Sequence, residues 1–185
     1  MKYKLIWDTF FQGGDTMWNA YGYDYHSYKI VDNIVYALDI PDGDIIQFGC
    51  GLGVTVEKLC SLFGKQRVYG YDIFNPLNHP NIYQYDSELD DIPEHSLIAY
   101  CDIDIGSLTI HKELREELFS YAWDNLAVGG YILVNNSIVD KFRSNHSIAS
   151  DNMTVTRLDH FDIKELYKDP IDSRVLTKSL VRRNK

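Results

Sequence analysis

The sequence predicts a doubly wound α/β fold, in which a mostly parallel sheet carries helices on both faces. Two observations predict the fold. The first is that short apolar segments alternate with helical patterns along most of the 185 residues. Such alternation is typical of parallel strands, because each parallel crossover needs a dozen or more residues. The second is that two β-branched segments in the tail lack full crossover patterns, so we expect at least one antiparallel strand there.

The first half is predicted to contain an entry helix, two strands and the helix between them. The entry helix places its apolar residues on one face and ends at the turn Pro41-Asp42-Gly43. The second helix is predicted to stop at Gly64, because glycine commonly ends helices. In chain order the predicted elements are helix 27–40, strand 44–48, helix 54–63 and strand 67–71, the last followed by Asp72.

The second half is predicted to supply five more strands and one long helix. Apolar residues spaced four apart predict the helix from about residue 110 to Leu126, closed by Gly129-Gly130. The predicted strands are 81–85, 96–101, 131–134, 154–158 and 174–182. The sheet is therefore expected to have seven strands, with an antiparallel strand at the C-terminus.

The chain is expected to form one domain, 1–185, with its core in 27–185. Residues 1–26 are rich in aromatic side chains without a clean period, so they are read either as a lid or as a segment packed on the core. The segment 137–152 is read as a loop that helps to shape a pocket.

Composition and charge narrow the classes of partner. The formal net charge of −9 opposes binding to nucleic acid, and the main basic cluster lies at 178–185. No stretch reaches the roughly 20 consecutive apolar residues that cross a bilayer, and the first residues lack a signal-peptide cleavage site. The three cysteines show no metal-ligand spacing. We expect a cytoplasmic protein with a small-molecule partner, and no nucleic acid or membrane.

A glycine-rich turn follows the first predicted strand in the stretch IIQFGCGLGVTVEKL. Such a turn lies at the edge of an α/β sheet where ligands bind. The dinucleotide fingerprint G-x-G-x-x-G requires its third glycine at Val54, whereas this chain has Gly49-x-Gly51-x-Gly53. The spacing therefore disfavours a nicotinamide-dependent oxidoreductase.

The G-x-G-x-G form resembles motif I of the class I S-adenosylmethionine-dependent methyltransferases, and the resemblance runs over most of the chain. It implies a Rossmann-like fold and S-adenosylmethionine as the cofactor. It also implies that Asp72, in VYGYD, holds the ribose hydroxyls and that Asp86, in YQYDS, reaches the adenine amine. Many members have an acid where this chain has Gln47. The predicted cofactor-binding residues are Gln47, Gly49, Gly51, Gly53, Asp72, Ile73, Asp86 and Asp102.

The stretch AYCDIDIGSLTIHKELREELFSYAWDNLAVGGYILVNNS resembles the macrocin-type O-methyltransferases more narrowly. In those enzymes a divalent cation lies between an aspartate that ends the fourth strand and an acidic pair that ends the fifth. The matching positions are Asp102, with Asp104 as a second acid, and the pair Asn135-Asn136. Since Asn135 removes a carboxylate that magnesium usually needs, a divalent cation stays an alternative and no metal ligand is assigned.

These features predict an S-adenosylmethionine-dependent methyltransferase, with O-methylation of a small molecule as the reaction. Asp102 and Asp104 are the candidate catalytic residues, one of them acting as general base on the acceptor. For Asp104 the alternative is a cap on the segment that begins near Ser107. The alternative function is a methyltransferase-fold protein that binds the cofactor or a related ligand without transfer. The methyl acceptor and the oligomeric state stay open.

Overall fold

The computed structural model describes residues 27–28, 30–85, 92–105, 112–145, 151–158 and 177–185. Residues 30–33 are helical, and the short 3-10 helices are Val35–Ala37 and Lys65–Arg67. The strands are β1 Asp44–Phe48, β2 Val68–Asp72, β3 Ile82–Gln84, β4 Ile98–Ile103, β5 Leu126–Asn135, β6 Met153–Arg157 and β7 Lys178–Arg183. The helices are α1 Val54–Phe63, α2 Lys112–Asp124 and α3 Asn136–Asn145. The predicted segment 1–26 and the predicted site residue Asp86 lie outside the described residues.

The strands form one sheet in the order β3-β2-β1-β4-β5-β7-β6. Strands β1 to β5 pair in parallel, whereas β7 runs antiparallel to both β5 and β6. The prediction of a mostly parallel seven-stranded sheet with an antiparallel C-terminal strand is confirmed. Because β1 lies between β2 and β4, the carboxyl ends of these three strands meet at one edge of the sheet.

Two apolar clusters hold the layers together, one on each face of the sheet. On one face, Ile46 and Phe48 belong to a cluster with buried residues of α2 and α3. On the other face, Ile45 belongs to a cluster with residues 30–35 and buried residues of α1. Successive side chains of β1 thus point to opposite faces of the sheet, as in any β-strand. No helix within the described residues has the length and apolarity to cross a membrane.

The predicted end of the long helix is wrong. Helix α2 ends at Asp124, and β5 begins at Leu126 and runs through Gly129-Gly130. The register between β4 and β5 changes from Ile98↔Leu126 to Tyr100↔Tyr131, so β5 carries extra residues at this point. Gly129 has φ 84°, which a glycine adopts without strain. The glycines therefore permit an irregularity inside a strand rather than ending a helix.

The segment 137–152 was predicted to be a loop, but helix α3 spans Asn136–Asn145. Its residues Ile138, Val139 and Phe142 are buried, which is a helical spacing. This apolar face packs against the sheet together with α2. The segment therefore contributes to the core over this length.

A buried hydrogen-bond chain lies beneath α2. The Tyr71 hydroxyl is 2.6 Å from Nε2 of His95, and Nδ1 of His95 is 2.7 Å from Oδ2 of Asp44. The carboxylate accepts from Nδ1–H, and in that tautomer Nε2 can accept from the hydroxyl. Burial raises the pKa of Tyr71 above its ordinary value, so the phenol stays protonated and keeps donating. These hydrogen bonds join the loop before β4 to β1 and β2.

Replacing Tyr71 with phenylalanine is expected to lower the free energy of unfolding by about 1–3 kcal/mol, because Nε2 of a buried histidine would lose its partner. Urea denaturation measures the change. Tyr36→Phe is the matched control, since that side chain is 55% exposed, and it should change the stability by less than about 0.5 kcal/mol. Equal losses for the two variants would contradict a structural role for the chain of hydrogen bonds.

Candidate functional site

The glycine turn connects the end of β1 to the start of α1. Gly49, Gly51 and Gly53 have φ values of 81°, 53° and 84°, all in the left-handed region. A Cβ on Gly49 would lie 2.4 Å from the backbone oxygen of Asp104. The turn is therefore packed directly against the residue that follows β4, and only glycine fits there.

Asp72, the last residue of β2, is tied to this turn by hydrogen bonds. The backbone N–H of Gly51 donates to its Oδ2 at 2.9 Å, and that of Phe74 donates to Oδ1 at 3.1 Å. Burial raises the pKa of Asp72 to about 6, although these N–H groups oppose the shift. The backbone N–H groups of Cys50 and Ile73 act in the same direction. An ionised carboxylate only accepts hydrogen bonds, which suits it to partners that donate, such as hydroxyl groups.

Gln47 lies in β1, two residues before the turn, and its side chain is fully buried. Neither Nε2 nor Oε1 has a hydrogen-bond partner among the described residues. Leaving such an amide unsatisfied costs about 1–3 kcal/mol for each group, so a buried orphan of this kind points to a ligand or an ordered water. Gln47 is the Cα partner of Asp102 in β4, so the two side chains project from the same face of the sheet.

A buried polar group, here called the lysine cluster, consists of Ser27, Asp102, Asp104 and Lys178. Lys178 Nζ donates to Oδ1 of Asp104 at 2.8 Å and to Oγ of Ser27 at 3.3 Å. The Ser27 hydroxyl donates to Oδ2 of Asp104 at 2.9 Å. Lys178 Nζ also lies 3.9 Å from Oδ1 of Asp102. Burial opposes the lysine charge, but the two carboxylates raise the pKa of Lys178 above its ordinary value, so it stays an ammonium group.

The structure places most of the predicted residues around one edge of the sheet. The turn and Asp72 are joined directly, and Gln47 is the Cα partner of Asp102. Ile73 follows β2, half-buried, and packs against the apolar cluster that includes α2. Their contact with a cofactor stays a prediction, as does that of Asp86.

The residues that the resemblance suggested for a divalent cation do not fit one. Both oxygens of Asp104 accept from the lysine cluster, and Oδ1 of Asn136 lies 2.5 Å from the Ser179 hydroxyl. The ammonium of Lys178 already lies between these carboxylates, 3.9 Å from Oδ1 of Asp102, and offers no lone pair to a metal ion. Among the described residues no group of three or more histidine, cysteine or acidic side chains is placed to hold a metal. No step of the chemistry is therefore assigned to a metal.

Lys178 and Ser27 were missed by the sequence analysis. Lys178 is separated from Asp104 by 74 residues and from Ser27 by 151, so only the sheet order brings them together. One signal was present, since Lys178 is two residues from buried Leu180 and so shares its face of β7. A lysine on the buried face of a strand indicates an ion pair.

Comparisons with known proteins give information on the fold. No protein-family profile matches the chain, and no curated protein matches it either. Many solved structures do match. The plantazolicin methyltransferase BpumL in complex with SAH is 12% identical, with a TM-score of 0.52, over 96% of this chain and 93% of that chain.

Two further solved structures match with lower TM-scores. An rRNA methylase from Streptococcus thermophilus is 13% identical, with a TM-score of 0.45, over 89% of this chain and 96% of that one. MycE methyltransferase from the mycinamycin biosynthetic pathway, in complex with Mg and SAH, is 14% identical, with a TM-score of 0.43, over 91% of this chain and 47% of that one. At such identities the likeness extends to the fold alone. The chain has the Rossmann-like fold of methyltransferases that bind S-adenosylmethionine or its product.

Proposed function

We propose that the chain is an S-adenosylmethionine-dependent methyltransferase that methylates an oxygen of a small molecule. The observation that carries the proposal is the hydrogen bond from Gly51 to Asp72, which joins the glycine turn to a carboxylate suited to a ribose. The orphaned amide of Gln47 supports it further, since a bound ligand could supply the missing partners.

The residues present fit this cofactor. Asp72 would accept from the ribose hydroxyls beside the backbone N–H groups that already donate to it. The turn at Gly49 and Gly51 would lie against the methionyl part, because it presents backbone without side chains. Asp86, beyond the described residues, is proposed for the adenine amine. Asp102 and Ile73 complete the proposed contacts.

The chemistry of transfer places modest demands on the protein. When bound, the cofactor would supply an activated methyl group, and the electron pair of the S–C bond would stay on sulfur. The acceptor hydroxyl would form the new O–C bond and would have to give up its proton. Asp102 is the proposed general base, because it is a buried carboxylate near the end of β4 and the Cα partner of Gln47 at the proposed cofactor edge. Both oxygens of Asp104 accept from Lys178 and Ser27. Asp104 is accordingly proposed to position the cluster rather than to remove the proton.

A second candidate function is cofactor binding without transfer. The engagement of both oxygens of Asp104 favours it, because one of the two candidate bases is thereby occupied. The replacement of the usual acid by Gln47 removes a charge from the same edge. Transfer assays separate the two functions, since both share the same cofactor contacts.

The test is labelled methyl transfer from S-adenosylmethionine to a panel of phenols and sugars, with ribosomal RNA as the nucleic-acid arm. We expect transfer to a small hydroxyl compound, lowered about 10²–10⁴-fold by Asp102→Asn. Asp124→Asn, at an exposed position, is the matched control and should retain full activity. Binding of S-adenosylhomocysteine without transfer to any acceptor would favour the second candidate. Transfer to RNA alone would contradict the small-molecule proposal.

A further inference from the structure

The lysine cluster lies where the resemblance suggested a divalent cation. Lys178 begins β7, and its Cα partner is Asn135, the last residue of β5. Its ammonium lies 3.9 Å from Asp102, at the end of β4. A positive charge is thus already present among the residues that would otherwise have surrounded the metal.

The cluster has the character of a binding site rather than of a closed ion pair. An ammonium has three N–H donors. Among the described residues Lys178 uses two of them, on Asp104 and Ser27, while Asp102 lies beyond hydrogen-bond distance. Beside the cluster, Gln47 is a fully buried amide with no hydrogen-bond partner among the described residues. These observations together point to a ligand that completes the hydrogen bonds.

We propose that the Lys178 ammonium is the resident cation of this site, where it takes the place of a divalent metal and binds the acceptor oxygen through its remaining N–H. This inference rests on the proposed function. The lysine then performs one task of a metal ion, which is to stabilise the negative charge that develops on the acceptor oxygen as its proton leaves. Asp104 and Ser27 act as positioning residues that hold the ammonium.

The free N–H donor also selects the class of acceptor. An amine substrate is protonated at neutral pH, so it has no lone pair that can accept from the N–H of Lys178. A hydroxyl or phenol brings an oxygen that accepts from N–H and becomes a better partner as it ionises. The cluster therefore favours oxygen acceptors over nitrogen acceptors.

Manganese titration tests the resident cation independently of transfer activity. The wild-type chain should give no calorimetric heat with Mn²⁺. The double variant Asn135→Asp/Lys178→Ala gains a carboxylate and loses the ammonium, so Mn²⁺ in excess should raise its Tm by about 2 °C or more. Wild-type binding of Mn²⁺ that Asp102→Asn abolishes would overturn the inference. So would a double variant that folds and still ignores the metal.

A second measurement tests the contact with the acceptor. Lys178→Met/Asp104→Asn removes both charges of the buried pair together, which avoids leaving one buried charge alone. With the acceptor found in the transfer panel and with EDTA present, the wild-type rate should be unchanged, whereas this variant should lose about 10²-fold or more in kcat. The matched control is Lys185→Met/Asp151→Asn, which removes an exposed ion pair.

The outcomes separate this inference from the proposed function. Calorimetry with S-adenosylhomocysteine should show the same affinity for wild type and for Lys178→Met/Asp104→Asn. If the wild-type chain does not bind S-adenosylhomocysteine, the proposed function is wrong, whatever the result with Mn²⁺. If the Lys178→Met/Asp104→Asn variant binds the cofactor and keeps its kcat, only the proposed role of Lys178 is wrong.

Discussion

Asp72→Asn is expected to weaken the binding of S-adenosylhomocysteine about a hundredfold at pH 7.5, because two charge-assisted hydrogen bonds to the ribose become weaker or reverse their polarity. The carboxylate is held at the turn by Gly51 and is only 5% exposed, so water cannot readily replace it. Isothermal titration calorimetry measures the change. Asp39→Asn, at an exposed position, is the control and should leave the affinity unchanged.

The same residue makes the affinity depend on pH. Burial raises the pKa of Asp72 to about 6, and only the ionised form accepts from both hydroxyls. The wild-type affinity should therefore fall as the pH drops through about 6, by up to tenfold per pH unit below it. The Asp72→Asn variant should lack this dependence. An unchanged slope in the variant would assign the titration to another group.

Burial of Asp72 also has a predictable effect on stability. Since its pKa is higher in the folded chain than the ordinary value of 3.8, the folded state binds the proton more tightly. The contribution of Asp72 to stability is thus lost as the pH rises from about 4 to about 6. A carboxylate in a favourable ion pair changes stability in the opposite direction, because its contribution is lost as the pH falls.

Gly49→Ala is expected to lower the free energy of unfolding by at least about 3 kcal/mol, because it combines backbone strain at positive φ with a steric overlap. The overlap is with the backbone oxygen of Asp104, at 2.4 Å from the added Cβ. Either the turn or the end of β4 must move, so S-adenosylhomocysteine binding should be lost as well. Urea denaturation and calorimetry measure the two effects.

Gly129→Ala is the matched control for this variant. Gly129 has φ +84°, close to the +81° of Gly49, but the nearest atom to its added Cβ is the Arg182 side chain at 3.9 Å. It should therefore show only the strain term, about 1–2 kcal/mol, and bind the ligand normally. Similar losses of stability in both variants would mean that packing against Asp104 is unimportant.

Local patterns in the sequence were enough to predict the layers of the fold. Strand β1 and helix α1 have their predicted bounds, Asp44–Phe48 and Val54–Phe63. The glycine turn and the acid that ends β2, both named from the sequence, are joined in the structure by a hydrogen bond. These features depend on residues near each other in the chain or on a simple rule of sheet geometry.

Long-range pairing decided the features that local patterns missed. The four-residue spacing that reaches Leu126 is helical, yet this residue pairs with Ile98 in the sheet. Pairing with a neighbouring strand buries Leu126 and overrides its local helical pattern, because tertiary contacts outweigh local preference. Helix α3 was missed because its apolar face is short and follows directly after β5.

The polar part of the site was predictable only in part for the same reason. Asp102 and Asp104 were identified from their position after a strand, but their relation to Lys178 depends on the antiparallel return of β7. The resulting ion pair is the reason for which Asp104 is proposed as a positioning residue rather than as a base. The alternative of a cap near Ser107 concerns a segment outside the described residues. No property of residues 102–104 alone contains that information.

Calorimetric titration of the wild-type chain with S-adenosylhomocysteine, and separately with NAD, tests the central claim most directly. The turn at Gly49 and Gly51 together with Asp72 predicts heat with S-adenosylhomocysteine, saturating at one molecule per chain, and none with NAD. Heat with NAD alone, or no heat with either ligand, would contradict the claim that this edge of the sheet binds the methyl donor.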